Sequence, residues 1–222
     1  MAMVVQHNLT AMNSNRQLGV TTSAQAKSAE KLSSGYRINR AGDDAAGLKI
    51  SEKMRSQVRG LNRASTNAQD GVSLIQTAEG ALNEAHSILQ RMNELAVQGA
   101  NDTNENIDRE AINEELDALT TELDRISSTT QFNKQNLLDG SFKNKKLQVG
   151  ANTNQTISIT ISSMTAGKLG VSATVIAKVI SSSTGKEITK LITTVNTAIT
   201  KVSTQRSALG ALQNRLDHTI AN

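Results

Sequence analysis

The feature that most constrains this chain is a long seven-residue rhythm of small and aliphatic side chains. From Leu61 it runs through Ala64, Ala68, Val72, Ile75, Ala78, Leu82, Ala85, Leu89, Met92, Ala96 and Gly99, in steps of 3 or 4. That average, close to 3.5, lays one stripe along a helix seam. A helix with one such stripe is not stable alone, because the stripe must be covered by other helices. Composition points the same way: no Cys, Pro or Trp, one Tyr (Tyr36) and two Phe (Phe132 and Phe142) in 222 residues. Aromatic side chains bring the largest areas to ordinary cores. Here the core must instead come from many Leu, Ile, Val and Ala contacts spread along helices, which suits a rod or an assembly part better than a catalyst.

The rest of the chain falls into segments. Residues 1–34 read as a polar helix in which Arg16 is the sole charged residue before Lys27, with an apolar stripe begun by Val5, Leu9 and Met12 and weakened at Arg16 and Gly19. Such a helix has little reason to fold without a partner. Gly35, Gly42 and Gly47 mark a loop or hinge over 35–47, and a helix then runs from about Ala45 to Gly99, roughly 80 Å long at 1.5 Å per residue. Asn104 or Asn106 is expected to cap the next helix, 105–128, striped by Ile112, Leu116, Leu119, Leu123 and Ile126. LQV at 147–149 and TISITI at 156–161 flank GANTNQ as a hairpin, with Ile157, Ile159 and Ile161 on one face. Residues 162–186, rich in Ser, Thr and Gly, read as a short linker or excursion. A last helix covers 185–220, with Ile188, Val195, Val202, Leu209 and Leu216 every seven residues. The fold class expected is mainly α: an elongated, coiled-coil-like bundle of three long helices with a small β-hairpin region.

Other chemistries find no support. The net charge is +4, but basic and acidic residues alternate and no basic cluster is interleaved with aromatics, so nucleic acid is not an expected partner. No apolar stretch approaches the ~20 residues that cross a bilayer, so no membrane insertion is expected. The N-terminal stretch lacks the pattern of a cleavable signal peptide. His7, His86 and His218 are isolated, outside any zinc motif. Asp102, Asn104 and Asn106 resemble the start of a calcium loop, but Ile107 stands where the turn Gly belongs and Asn113 where the bidentate Glu belongs. GDDAAG at 42–47 is followed by Leu48 and Lys49, which is not a phosphate loop. Asp43 and Asp44 read as helix-capping residues rather than an acid–base pair. Asn101 and Asn154 begin sequons, a weak glycosylation pattern. No cofactor, metal or enzymatic activity is expected.

Six longer runs carry a resemblance. LSSGYRINRAGDDAAGLKIS (32–51), NAQDGVSLIQTAEGALNEA (67–85), LQRMNELAVQGAND (89–102), TQFNKQNLLDG (130–140), LQVGAN (147–152) and QRSALGALQNRLDHTIAN (205–222) are similar to bacterial flagellin. The resemblance implies a filament subunit that polymerises with other copies for motility, leaves the cell through the flagellar type III export apparatus and is located outside the cell. It implies that residues 1–44 form the N-terminal half of an inner domain, D0, and that 45–162 and 186–222 form a rod domain, D1. Residues 163–185 would be a reduced variable region. Flagellins continue into a C-terminal helix that pairs with the N-terminal one, so a shortened chain is expected, with residues 1–40 mobile or bound to another chain.

Flagellins are also recognised by a vertebrate Toll-like receptor through D1. The motif match carries Arg91, Leu95 and Glu115 over as receptor contacts, with Gln90 as an addition. Arg91 and Leu95, four apart, share a helix face, and Leu95 is expected to be an exposed anchor at the stripe edge. On the residues alone, a stripe-edge leucine and a solvated arginine are the plainer alternative. Two other readings stay open: a fragment that acts only as an immune-receptor ligand, and a hook-associated junction protein.

Overall fold

The structure is a computed structural model that describes residues 8–180 and 185–222. Among the described residues, six helices and two small antiparallel ribbons follow in order: α1 (Leu9–Ser34), α2 (Ala45–Gly99), α3 (Asn106–Thr129), β1 (Gln131–Phe132), β2 (Gln135–Asn136), β3 (Lys145–Gln148), β4 (Thr156–Ile159), α4 (Ala166–Leu169), α5 (Ala173–Ile180) and α6 (Gly185–Ala221). The chain divides into two compact units, Met1–Val58 and Arg59–Asn222, with the division inside α2.

In the first unit, α1 buries none of its residues. Leu9, Met12, Leu18, Val20 and Leu32 are all exposed, as a weakly striped helix predicts. Its ends are nonetheless specified locally. Asn8 accepts a hydrogen bond from the Ala11 amide, and Gly35 closes the helix at φ 73°, in the left-handed region that a Cβ disfavours. The loop after it is held by polar contacts: Asn39 Nδ2 donates to the Glu30 carbonyl and to Ser34 Oγ, and Arg40 Nε donates to Glu30 Oε1 at 3.0 Å. Lys27 pairs with Asp43 at 3.3 Å, and this contact holds the Asp43 carboxyl below its usual range. Asp44, not Asp43, caps α2: its Oδ1 accepts from the Gly47 amide at 2.8 Å. The expected Val5 lies outside the described residues, as does His7.

The second unit contains the core. The α2 stripe is buried from Ala64 to Gly99 except at Val72, which is partly buried, while Leu61, where the rhythm begins, is exposed. The buried face is wider than one seam, because Gly71, Leu74 and Leu95 are buried as well. The physical reason is that α2 is covered on two sides. One cover is α6, which runs antiparallel to it: Leu191 lies by Gly99, Arg206 pairs with Glu79 at 3.8 Å, and Leu216 approaches Gly71. Leu191, Val195, Val202, Leu209 and Leu216 of α6 are fully buried, in the same apolar cluster as Ala68, Ala78, Ala85 and Ala96 of α2. The other cover is α3, through Ile112, Leu116 and Leu123, with Leu119 and Ile126 partly buried. Its N-terminus differs in detail from expectation: Asp108 Oδ2 accepts from the Glu105 amide at 3.1 Å in a capping box, and Asn104 Nδ2 donates back to the Gln98 carbonyl.

The β3–β4 hairpin pairs Leu147 with Ile157 and Lys145 with Ile159. Ile157, Ile159 and Ile161 are buried, as their alternation predicts. A second ribbon, β1–β2, was not legible: its turn residues Asn133 and Lys134 both have positive φ, 48° and 61°, the backbone of a two-residue hairpin turn built without glycine.

Of the two readings of 162–186, a short linker or an excursion, the described residues fit the excursion. Its described part forms α4 and α5, and Ala166, Leu169, Val171 and Ile176 are buried in the core. Side chains of the long helices hold this excursion in place. Asp124 on α3 accepts from the Ala166 amide at 2.8 Å, and Thr120 Oγ1 lies 3.4 Å from the Val171 carbonyl. From α6, Lys201 Nζ donates to the Lys168 carbonyl at 3.1 Å, and Gln205 joins the Ser162 amide to the Thr160 carbonyl. The four residues 181–184 and the side chain of Ile188 lie outside the described residues.

Candidate functional site

The four residues singled out from the motif match lie on adjacent turns of α2 and on α3, which its packing against α2 brings alongside. Arg91 is the centre of the group. Its Nε donates to Glu115 Oε1 at 2.8 Å, and its Nη1 donates to Glu94 Oε2 at 3.1 Å. All three side chains are about half exposed or more. Above all the Glu115 hydrogen bond, then the Glu94 one, raises the Arg91 pKa, so the guanidinium stays charged. An exposed ion pair of this kind adds little stability. Its effect is to hold a long side chain in one orientation across the α2–α3 line, with charge-assisted geometry available to a docking partner.

Gln90 is exposed one residue earlier, and its Nε2 lies 3.1 Å from Nε2 of His86, one turn back on α2. His86 and Glu94 therefore join the site. Both were legible in principle, since they stand four and three residues from their partners on one helix.

Leu95 departs from expectation. It is 2% exposed, packed where α2, α3 and α6 meet, among Ala96, Gly99, Ile112, Leu116 and Leu191. The reason is the double cover of α2. Leu95 stands one position from the seam residue Ala96, and coverage by α3 draws that flank into the core. Arg91, four residues earlier, points along the same edge but reaches solvent by its length. The expected exposed anchor is therefore a core residue, one helical turn along from Arg91.

Comparison with known proteins agrees with this architecture. Residues 5–143 match the family described as bacterial flagellin N-terminal helical region, and residues 192–222 match the bacterial flagellin C-terminal helical region. The chain is 51% identical over 220 residues to a flagellin of Halalkalibacterium halodurans, covering 99% of this chain and 79% of that one. It is 47% identical to a flagellin of Bacillus subtilis, covering 99% and 82%. It is also 47% identical to the flagellar filament 31.3 kDa core protein of Treponema maltophilum, covering 98% and 80%. Among solved structures, the crystal structure of Bacillus cereus flagellin aligns with a TM-score of 0.58 at 29% identity, over 71% of this chain and 88% of that one. The chain belongs to the bacterial flagellin family, and it is a structural subunit of the flagellar filament rather than an enzyme.

Proposed function

We propose that this subunit is exported through the flagellar type III apparatus, takes its place in a filament outside the cell, and presents the α2–α3 face to the vertebrate flagellin-sensing Toll-like receptor. In this reading residues 1–44 belong to the inner domain D0, 45–162 and 186–222 to the rod domain D1, and 163–185 to a reduced variable region. The exposed apolar residues of α1 support the first assignment: Leu9, Met12, Leu18 and Leu32 find no cover within the chain's described residues, so they suit contacts with other subunits.

The observation that carries the receptor reading is the fixed Arg91–Glu115–Glu94 cluster with Gln90 beside it. A preoriented arginine on a rigid helix is the kind of group that dominates small protein interfaces. Leu95, in the core beside Leu116, contributes by fixing how α3 lies on α2. Receptor binding by the full chain tests this. Arg91→Ala and Glu115→Ala are expected to weaken binding at least tenfold with the helical circular dichroism unchanged. Wild-type affinity in both variants would overturn the receptor surface.

A further inference from the structure

Two charged surfaces of the second unit have few charge partners among the described residues, and they are complementary. The first is a groove of about 730 Å³ between α6 and the segment leading through α4. Lys143, Lys168 and Lys201 stand around it over a floor that includes Met164, Leu169 and Ala208, and no carboxylate of the described residues lines it. Lys201 is anchored on the carbonyls of Lys168 and Leu169. Lys143 and Lys168 are exposed, and neither forms an ion pair among the described residues. The α6 wall is a row of hydroxyls, Thr197, Thr200 and Thr204. Thr197 and Thr204 each donate to the carbonyl four residues back, which leaves their oxygens able to accept.

The second surface is the outer ridge of α3. This helix carries seven acidic residues against two basic ones. Its exposed side presents Glu110, Ala111, Glu114, Ala118 and Thr121, at the 3- and 4-residue spacing of one face. Glu115 and Glu122 hold Arg91 and Arg125, but Glu110 and Glu114 have no cation among the described residues. The exposed alanines keep the ridge low, so a second backbone can approach it.

We infer that the α3 ridge of one copy docks in the Lys143–Lys168–Lys201 groove of the next, with Glu110 and Glu114 paired to the groove lysines. The inference rests on the filament reading and names the surfaces by which copies meet. The dimensions agree: the ridge from Glu110 to Thr121 and the groove wall from Thr197 to Ala208 each span eleven residues of helix, about 16 Å. Because ridge and groove are different surfaces of one unit, the contact is heterologous, and repeating it generates a ring or an open helical array rather than a closed dimer. A tube wall requires that geometry. An apolar floor beneath a lysine rim gives the contact both burial and register.

Zero-length carbodiimide cross-linking of the full chain tests it, with unlabelled and 15N-labelled chains mixed at low ionic strength so that links between copies are distinguished by mass. The expected links join Glu110 or Glu114 of one copy to Lys143 or Lys168 of another. Glu110→Lys with Glu114→Lys, and Lys143→Glu with Lys168→Glu, are each expected to reduce association at least tenfold alone. Mixed together they restore it, because each variant's ridge then matches the other's groove. All four positions are exposed, so the fold is expected to survive, and circular dichroism checks it. Reversed variants that associate like the wild type, or links that avoid these residues, overturn the contact. An anionic polymer as the groove's true occupant would also leave the α3 carboxylates unlinked, and so would overturn it. Electron microscopy of the same samples separates the two readings. Links without regular filaments keep the contact and remove the filament assignment; filaments without these links do the reverse.

Discussion

Replacing Leu95 by Ala separates a core role from a surface role at the candidate receptor face. Leu95 is 2% exposed and lines a small internal gap together with Leu116 of α3 and Leu191 of α6. Truncating a buried leucine removes its transfer free energy and leaves a cavity, together about 2.7–5 kcal/mol. Three long helices cannot all shift to fill the gap left by three carbons, so the loss is expected in the middle of that range, about 3–4 kcal/mol. For a domain of 150–250 residues each kcal/mol moves the melting temperature by about 2–4 °C, so a fall of about 10 °C is expected. Urea unfolding followed by circular dichroism measures it, with Arg91→Ala as the control. Arg91 is half exposed, and its replacement is expected to leave the midpoint unchanged. A Leu95→Ala chain as stable as the wild type would refute the placement of Leu95 in the core.

Three further perturbations test other parts of the structure. Gly71→Val introduces branched methyls where even a Cβ would press on Leu147 Cδ1 and come within 3.3 Å of Leu216 Cδ1; a destabilisation of about 1–3 kcal/mol is expected from urea titration. Asp44→Ala removes the acceptor of the Gly47 amide, which costs about 1 kcal/mol at a helix start and is expected to speed hydrogen exchange at that amide. Asp139 carries a carboxyl pKa below its ordinary value, chiefly through the Ser141 side-chain hydrogen bond and then its backbone amide. A carboxyl with a depressed folded pKa contributes stability above its unfolded value of about 3.9, and that contribution is lost as pH falls through the folded value. Asp139→Asn is therefore expected to lose less stability than the wild type between about pH 5 and pH 2.5, as read from urea midpoints; parallel curves would contradict the assignment.

Legibility in the sequence followed periodicity. The glycine hinge and the seven-residue rhythm from Leu61 together located α2, and the rhythm gave α6 its buried Val195, Val202, Leu209 and Leu216, because a strict repeat fixes a face wherever a partner helix covers it. The alternation of Ile157, Ile159 and Ile161 fixed the hairpin face for the same reason. The misses occurred where a second cover or a non-repeating contact decides. Leu74 and Leu95 flank the seam by one position and are buried because α2 has neighbours on two sides, which a single-helix pattern does not encode. Helices α4 and α5 sit in a Ser/Thr-rich stretch and owe their place to distant groups such as Asp124 and Lys201. At the candidate receptor face, Arg91, Glu115 and Gln90 were legible as a group only through the motif match. Their bridge, spanning residues 24 apart, depends on how α3 lies on α2.

Assembly is the central claim, and the most direct test is sedimentation of the purified chain in ammonium sulfate, which strengthens apolar burial between subunits, with the pellet viewed by electron microscopy. Regular tubes of uniform diameter are the predicted result. A chain that keeps its helical spectrum yet stays monomeric at every salt concentration below precipitation would contradict it.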